Sequence, residues 1–276
     1  MSSVNMHQKF ENKVVLITGG GGGIGKAAAA RFLDEGAVVA LNSRRQSVLD
    51  AAAAELEPAG ERILLFAGDI SRPEVAQAFV GAAVERFGGV DVLVNSTGIF
   101  RVKPFTEETE EDLEEALNSI LRPTFYTAQA AVRAMRARGG GSIVSVGSMW
   151  AVDAIATTPT SAYSAAQAGR HALTKNLAVE LAPDRIRVNA VALGFVETPA
   201  YERFLTPAEA QSLLDSLHSF QPLGRHGYPA DVVEAILFLA GDDAAWITGA
   251  TLPVDGGVLA GRSPAGAVVA EDSAAA

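Results

Sequence analysis

Between Val14 and Leu33 the chain passes from an unbroken apolar run, Val14-Val15-Leu16-Ile17-Thr18, through five consecutive glycines, Gly19 to Gly23, and Ile24-Gly25 into the alanine-rich stretch Lys26–Leu33. Few folds accommodate that order. An apolar run of this length suits a strand covered on both faces, and the alanines favour a helix. Between them, glycines allow a tight turn against which a ligand can lie close to the backbone. Strand, glycine turn and helix together build a site for a dinucleotide pyrophosphate, because the helix N-terminus offers free N–H groups and the positive end of its dipole. The same glycines between other neighbours would read as a linker.

The pattern then repeats. Strand-like runs are expected at Val14–Thr18, Ala37–Leu41, Ile63–Phe66, Val90–Asn95, Ser142–Val146, Ile186–Val191 and Thr251–Val254. Helical segments are expected between them at Lys26–Glu35, Val48–Leu56, Pro73–Phe87, Glu107–Arg138, Ala162–Leu181 and Pro229–Ala240. Strands alternating with helices predict an α/β fold, a doubly wound Rossmann-type parallel sheet of about seven strands with helices on both faces. Any ligand belongs beyond the carboxyl ends of the strands. Residues 1–260 read as one domain with a lid over about 195–228, and the Gly/Ala/Ser-rich tail 261–276 reads as disordered.

Several classes of function are disfavoured. A net charge of −10 argues against nucleic acid. No apolar run reaches the ~18 residues of a membrane span, and Met1–Lys13 lacks a signal-peptide core. Absence of cysteine removes thiolate metal sites and fits a cytoplasmic protein. His7, His171, His218 and His226 are scattered in sequence, so no metal is expected.

From Lys9 to Leu259 the chain resembles the short-chain dehydrogenase/reductase family. Thr18-Gly19 with Gly23-Ile24-Gly25 matches the TGxxxGIG turn, and Asn95-Ser96-Thr97-Gly98 stands where the family has NNAG. Ser142–Ser148 resembles the strand that ends in the catalytic serine, and Tyr163 opens the YxxxK position. Arg187–Gly194 resembles RVNxVxPG, with Leu193 for the proline, and Asp255-Gly256-Gly257 closes the fold. The resemblance implies cofactor contacts from Thr18, Gly19, Gly23, Ile24, Gly25, Asp69, Ile70, Asn95, Gly98, Tyr163, Gly194, Val196 and Thr198. Asp69 is also a candidate N-cap for the helix at Pro73.

Two departures concern chemistry. Gln167 stands at the family's lysine, and Ile120, not the nearby Asn118, falls at its asparagine. Of the family's catalytic set, Ser148 and Tyr163 remain, with Gln167 at the third position. In the family the tyrosine exchanges a proton with the substrate oxygen, and the lysine binds ribose and lends charge to the tyrosine. Gln167 can donate hydrogen bonds but carries no charge. Such a site favours carbonyl reduction, which needs a tyrosine acid, over alcohol oxidation, which needs a base. Arg170 or His171, within a turn of Gln167, could supply the missing charge, although that turn is expected to face another subunit.

At the end of the second strand Ser43 takes the place of the acidic residue that selects NAD, and Arg44 and Arg45 follow. A guanidinium suits a 2′-phosphate, so NADP is favoured over NAD. Phe100, Trp150, Phe195, Tyr201, Phe204 and Phe220 fall near the expected pocket mouth, and Arg203 and Arg225 are the lid's basic residues. An NADPH-dependent reduction of a fairly apolar ketone or aldehyde is the leading expectation. A cofactor-binding but idle sensor or partner protein, or non-redox chemistry on the same fold, are the alternatives. The resemblance implies a homotetramer or homodimer, assembled through the fourth and fifth helices.

Overall fold

A computed structural model describes residues 8–156, 158–199, 201 and 205–261. The tail beyond residue 261, and with it His7, Arg203 and Phe204, lies outside that description. Seven strands form one parallel sheet in the order β3-β2-β1-β4-β5-β6-β7. They are β1 (Val14–Thr18), β2 (Val38–Ser43), β3 (Ile63–Ala67), β4 (Val92–Asn95), β5 (Gly141–Ser148), β6 (Ile186–Leu193) and β7 (Thr251–Val254). The order reverses between β1 and β4, which opens a crevice at their carboxyl ends. Every residue of β1 and β4 is buried, as two covered faces demand.

Helices α1 (Gly23–Asp34), α2 (Gln46–Leu56), α3 (Pro73–Phe87), α4 (Glu110–Ala116), α5 (Arg122–Arg138), α6 (Ser161–Glu180), α7 (Pro207–Ser216) and α8 (Pro229–Ala240) complete the frame. One core cluster packs α1 and α8 on the sheet, centred on Phe32, Leu41 and Ile236. The opposite face holds α3 and α5 through Phe79, Leu93 and Met135. Arg187 explains part of its motif structurally. Its guanidinium donates to the carbonyls of Leu239, Ala240 and Gly241 at 2.7–3.0 Å, satisfying the open end of α8.

Two expectations are corrected. The long helix over 107–138 is broken: Thr109 caps α4 in a reciprocal box with Asp112, and a π turn over Leu117–Leu121 separates α4 from α5. Pro123 has no N–H to give the carbonyl of Ser119, so α-helical bonding cannot run straight through. Asp69 does not cap α3. Arg72 holds the cap position, while Asp69 Oδ1 accepts from the Ser71 backbone N–H at 3.1 Å and its hydroxyl at 2.8 Å.

Candidate active site

The glycine turn is shaped by contacts that exclude side chains. A Cβ on Gly25 would lie 2.4 Å from the Gly19 carbonyl oxygen, so α1 can start against β1 only with glycine there. Gly19 adopts φ +69°, with Ser96 O 2.9 Å from where its Cβ would be. Gly22 caps α1 without any side-chain bond and has open space around its Cβ position. The first N–H groups of α1 therefore face a cavity of about 490 Å³ along the carboxyl edge of the sheet. That cradle fits a pyrophosphate.

Most of the expected cofactor residues line this cavity: Gly19, Gly23, Ile24, Ser43, Arg44, Asp69, Ile70, Gly98, Tyr163, Gly194, Val196 and Thr198. Thr18, Gly25 and Asn95 stand behind it, and Arg45 is at the cap of α2, off the wall. Thr18 Oγ1 accepts the Ser96 N–H at 3.1 Å and so shapes the wall from behind. Leu193 extends β6 by pairing with Ser148 on one side and Val254 on the other, which a proline could do less well.

Ser148, Tyr163 and Gln167 meet in the same cavity. Ser148 ends β5, 4% exposed, and its Oγ accepts the Trp150 N–H at 3.3 Å. Tyr163 sits in the first turn of α6, one turn before Gln167, whose Nε2 donates to the Tyr163 oxygen at 3.0 Å. Tyr163 packs edge-on against Phe100 with centroids 5.1 Å apart. Phe100 stacks on Trp150 at 6.4 Å, Trp150 meets Phe195 at 6.0 Å, and Phe195 meets Phe220 at 5.9 Å. This aromatic wall continues into the segment expected as a lid, which includes α7.

Arg170 does not face outward. It is fully buried, lines the cavity, and places all five guanidinium N–H groups on neutral acceptors. Nε donates to Thr124 Oγ1 at 2.9 Å, and Nη2 donates to Thr97 O at 2.8 Å and Ile120 O at 3.0 Å. Nη1 donates to Val146 O and, at 3.5 Å, to Gln167 Oε1. Burial draws its pKa down to about 10, leaving it charged at neutral pH. His171 behaves differently. Burial, then the charges of Arg170 and Lys175, push it down to about 4, so it is neutral and supplies no cation.

Three features escaped the sequence. Glu115 near the end of α4, and Asn118 and Ser119 in the π turn, line the cavity. Ile120 is buried and offers its carbonyl, not its side chain, to Arg170. His218 and His226, far from scattered, lie 3.0 Å apart between ring nitrogens, with Asp215 3.6 Å from His218 and Glu197 3.3 Å from His226.

A family model described as enoyl-(acyl carrier protein) reductase matches residues 20–259. The 3-oxoacyl-(acyl-carrier-protein) reductase FabG of Thermotoga maritima is 37% identical over 251 residues, covering 91% of this chain and 99% of its own length. The chain belongs to the short-chain dehydrogenase/reductase family. The 3alpha-hydroxysteroid dehydrogenase of Mediterraneibacter gnavus is 36% identical, covering 91% of this chain and 98% of its own. A crystal structure of a short-chain type dehydrogenase/reductase from Mycobacterium marinum superposes with a TM-score of 0.84 at 32% identity, covering 93% and 99% of the two chains. The protein is accordingly an NAD(P)-dependent oxidoreductase acting between CH–OH and C=O.

Proposed function

We propose that this short-chain dehydrogenase/reductase uses NADPH to reduce a fairly apolar ketone or aldehyde, with Tyr163 as the proton donor. The observation that carries the reading is the polarity of the hydrogen bond between Gln167 and Tyr163. Because Gln167 Nε2 donates to the phenol oxygen, Tyr163 need not spend its own proton on Gln167 and can direct it into the cavity. When bound, NADPH supplies the hydride that goes to the carbonyl carbon. Tyr163 gives its proton to the carbonyl oxygen, and the charge left on the phenol oxygen is met by the Gln167 N–H. A solvent proton then restores the phenol. Ser148, at the end of β5, is placed to donate a second hydrogen bond to the substrate oxygen while its own oxygen accepts from Trp150.

Support for NADPH comes from Ser43 and Arg44, which line the cavity where the adenosine ribose belongs, with no carboxylate at that strand end. Support for a compact apolar carbonyl comes from the aromatic wall of Phe100, Trp150 and Phe195. A carrier-protein substrate would want a basic rim. Arg225 does not offer one, since it grips Asp231 through two bonds of 2.7 and 2.8 Å. Calorimetric titration with NADPH and NADH tests the cofactor. Micromolar NADPH binding with much weaker NADH binding is expected, followed by turnover in a screen of aromatic and alicyclic ketones. In Arg44→Glu the preference is expected to fall at least tenfold, whereas Arg45→Glu should leave it in place; an unchanged preference in Arg44→Glu sinks the assignment. Reduction is expected to outpace oxidation at pH 7, and equal rates there would refute the proton-donor reading.

A further inference from the structure

We propose that Arg170 is a positioning residue for Tyr163: it fixes the direction of the Gln167 amide and thereby makes the Tyr163 oxygen a hydrogen-bond acceptor. This rests on the reading of Tyr163 as proton donor. A guanidinium can only donate, whereas an amide has one end that donates and one that accepts. Arg170 Nη1 faces Gln167 Oε1, so the amide oxygen must turn toward Arg170 and the NH2 must turn toward Tyr163. The reverse amide orientation would set N–H against N–H on the Arg170 side. At the Tyr163 end it would call for the phenol proton.

The guanidinium itself is held with little freedom. Its other bonds come from the strand ends and the π turn: Thr97 after β4, Val146 in β5, and Ile120 and Thr124 around the α4–α5 break. The π turn carries the Ile120 carbonyl, which accepts from both Arg170 Nη2 and Thr124 Oγ1, so the irregular helix and the buried arginine meet at one oxygen. No carboxylate lies within ion-pair distance of Arg170 among the described residues. A buried cation solvated only by dipoles attracts negative charge wherever it develops nearby, and the phenol oxygen is such a place once the proton leaves. The titratable groups that share the cavity wall are Arg44, Asp69, Glu115, Tyr163, Arg170 and Tyr201, with His171 neutral behind it.

The test has one readout that needs no turnover and one that does. The tyrosine Raman doublet distinguishes a phenol oxygen that accepts from a hydroxyl that donates, and subtracting the Tyr163→Phe spectrum isolates Tyr163 from the other three tyrosines. In the wild type Tyr163 is expected to read as an acceptor. In Arg170→Met it should shift toward a donor, as it should in Gln167→Glu, whose carboxylate accepts from both neighbours. Arg170→Lys should keep the acceptor signature, and Gln167→Met guards against misfolding of the arginine variants because it leaves the four other guanidinium bonds, to Thr124, Val146, Thr97 and Ile120, in place. With the best ketone, kcat should fall at least tenfold in Arg170→Met and Gln167→Met, with NADPH affinity held within about threefold. The pH midpoint of alcohol oxidation should move upward in both variants. A Tyr163 signature unchanged in Arg170→Met and in Gln167→Glu overturns the proposal. A shifted signature in an enzyme that reduces no carbonyl would refute the reductase reading while leaving the lock in place.

Discussion

Gly25 is the residue where sequence and geometry meet most directly. Its Cβ would lie 2.4 Å from a backbone oxygen, and neither β1 nor the turn can yield without reopening the phosphate cradle. Gly25→Ala is therefore expected to lower stability by about 1–3 kcal/mol in thermal unfolding and to abolish measurable NADPH binding. His171 gives a pH-dependent counterpart. Its ring packs where a Cβ on Gly147 would be, and its folded pKa of about 4 lies below the ordinary 6.5. The unfolded chain thus takes up the proton first, so stability falls as pH drops from about 6.5 toward 4. In His171→Asn that part of the acid slope should flatten in chemical denaturation at stepped pH; an unchanged slope would place the charge burden elsewhere.

At the scale of elements, the regular parts were legible and the irregular ones were not. Val14–Thr18, Pro73–Phe87, Pro229–Ala240 and Thr251–Val254 have the bounds the sequence predicts, because apolar runs and prolines at helix starts are local signals. The break between α4 and α5 depends on one missing N–H at Pro123, which also reads as an ordinary helical neighbour. Helix α7 carried a visible signal, Thr206 three residues before Glu209, and the structure completes that capping box. Arg170 could not be placed from the sequence, since its acceptors come from residues 97 to 167 and a helical period does not say which turn is buried. One element boundary yields a test. Asp231, in the first turn of α8, is held at about 2 by Arg225, then by the Tyr228 N–H, against an ordinary 3.8. Its contribution is complete above about pH 4 and is lost as pH falls through about 2. Asp231→Asn should lower the melting temperature at pH 7 and leave little difference from the wild type near pH 2.

At the scale of the molecule, no helix among the described residues is long and apolar enough to cross a membrane. Large apolar side chains nevertheless remain on the helices through which the family resemblance implies assembly, the expected fourth helix being α4 and α5 and the expected fifth α6: Leu113 on α4, Phe125 on α5 and Val179 on α6, the last 79% exposed. Light scattering is expected to give four times 28.6 kDa, and Phe125→Glu with Val179→Lys should reduce it to one or two chains. A wild-type monomer would show that these side chains are simply tolerated in water. Arg170 joins segments that are distant along the chain, from Thr97 to Gln167, around one flat group. Shortening it to alanine would leave a hollow of that flat shape, walled by carbonyl oxygens and open to the cofactor cavity. Free guanidinium, which unfolds proteins at molar concentration, should act on Arg170→Ala at millimolar concentration as a ligand, raising its melting temperature and restoring part of its activity while only weakening the wild type.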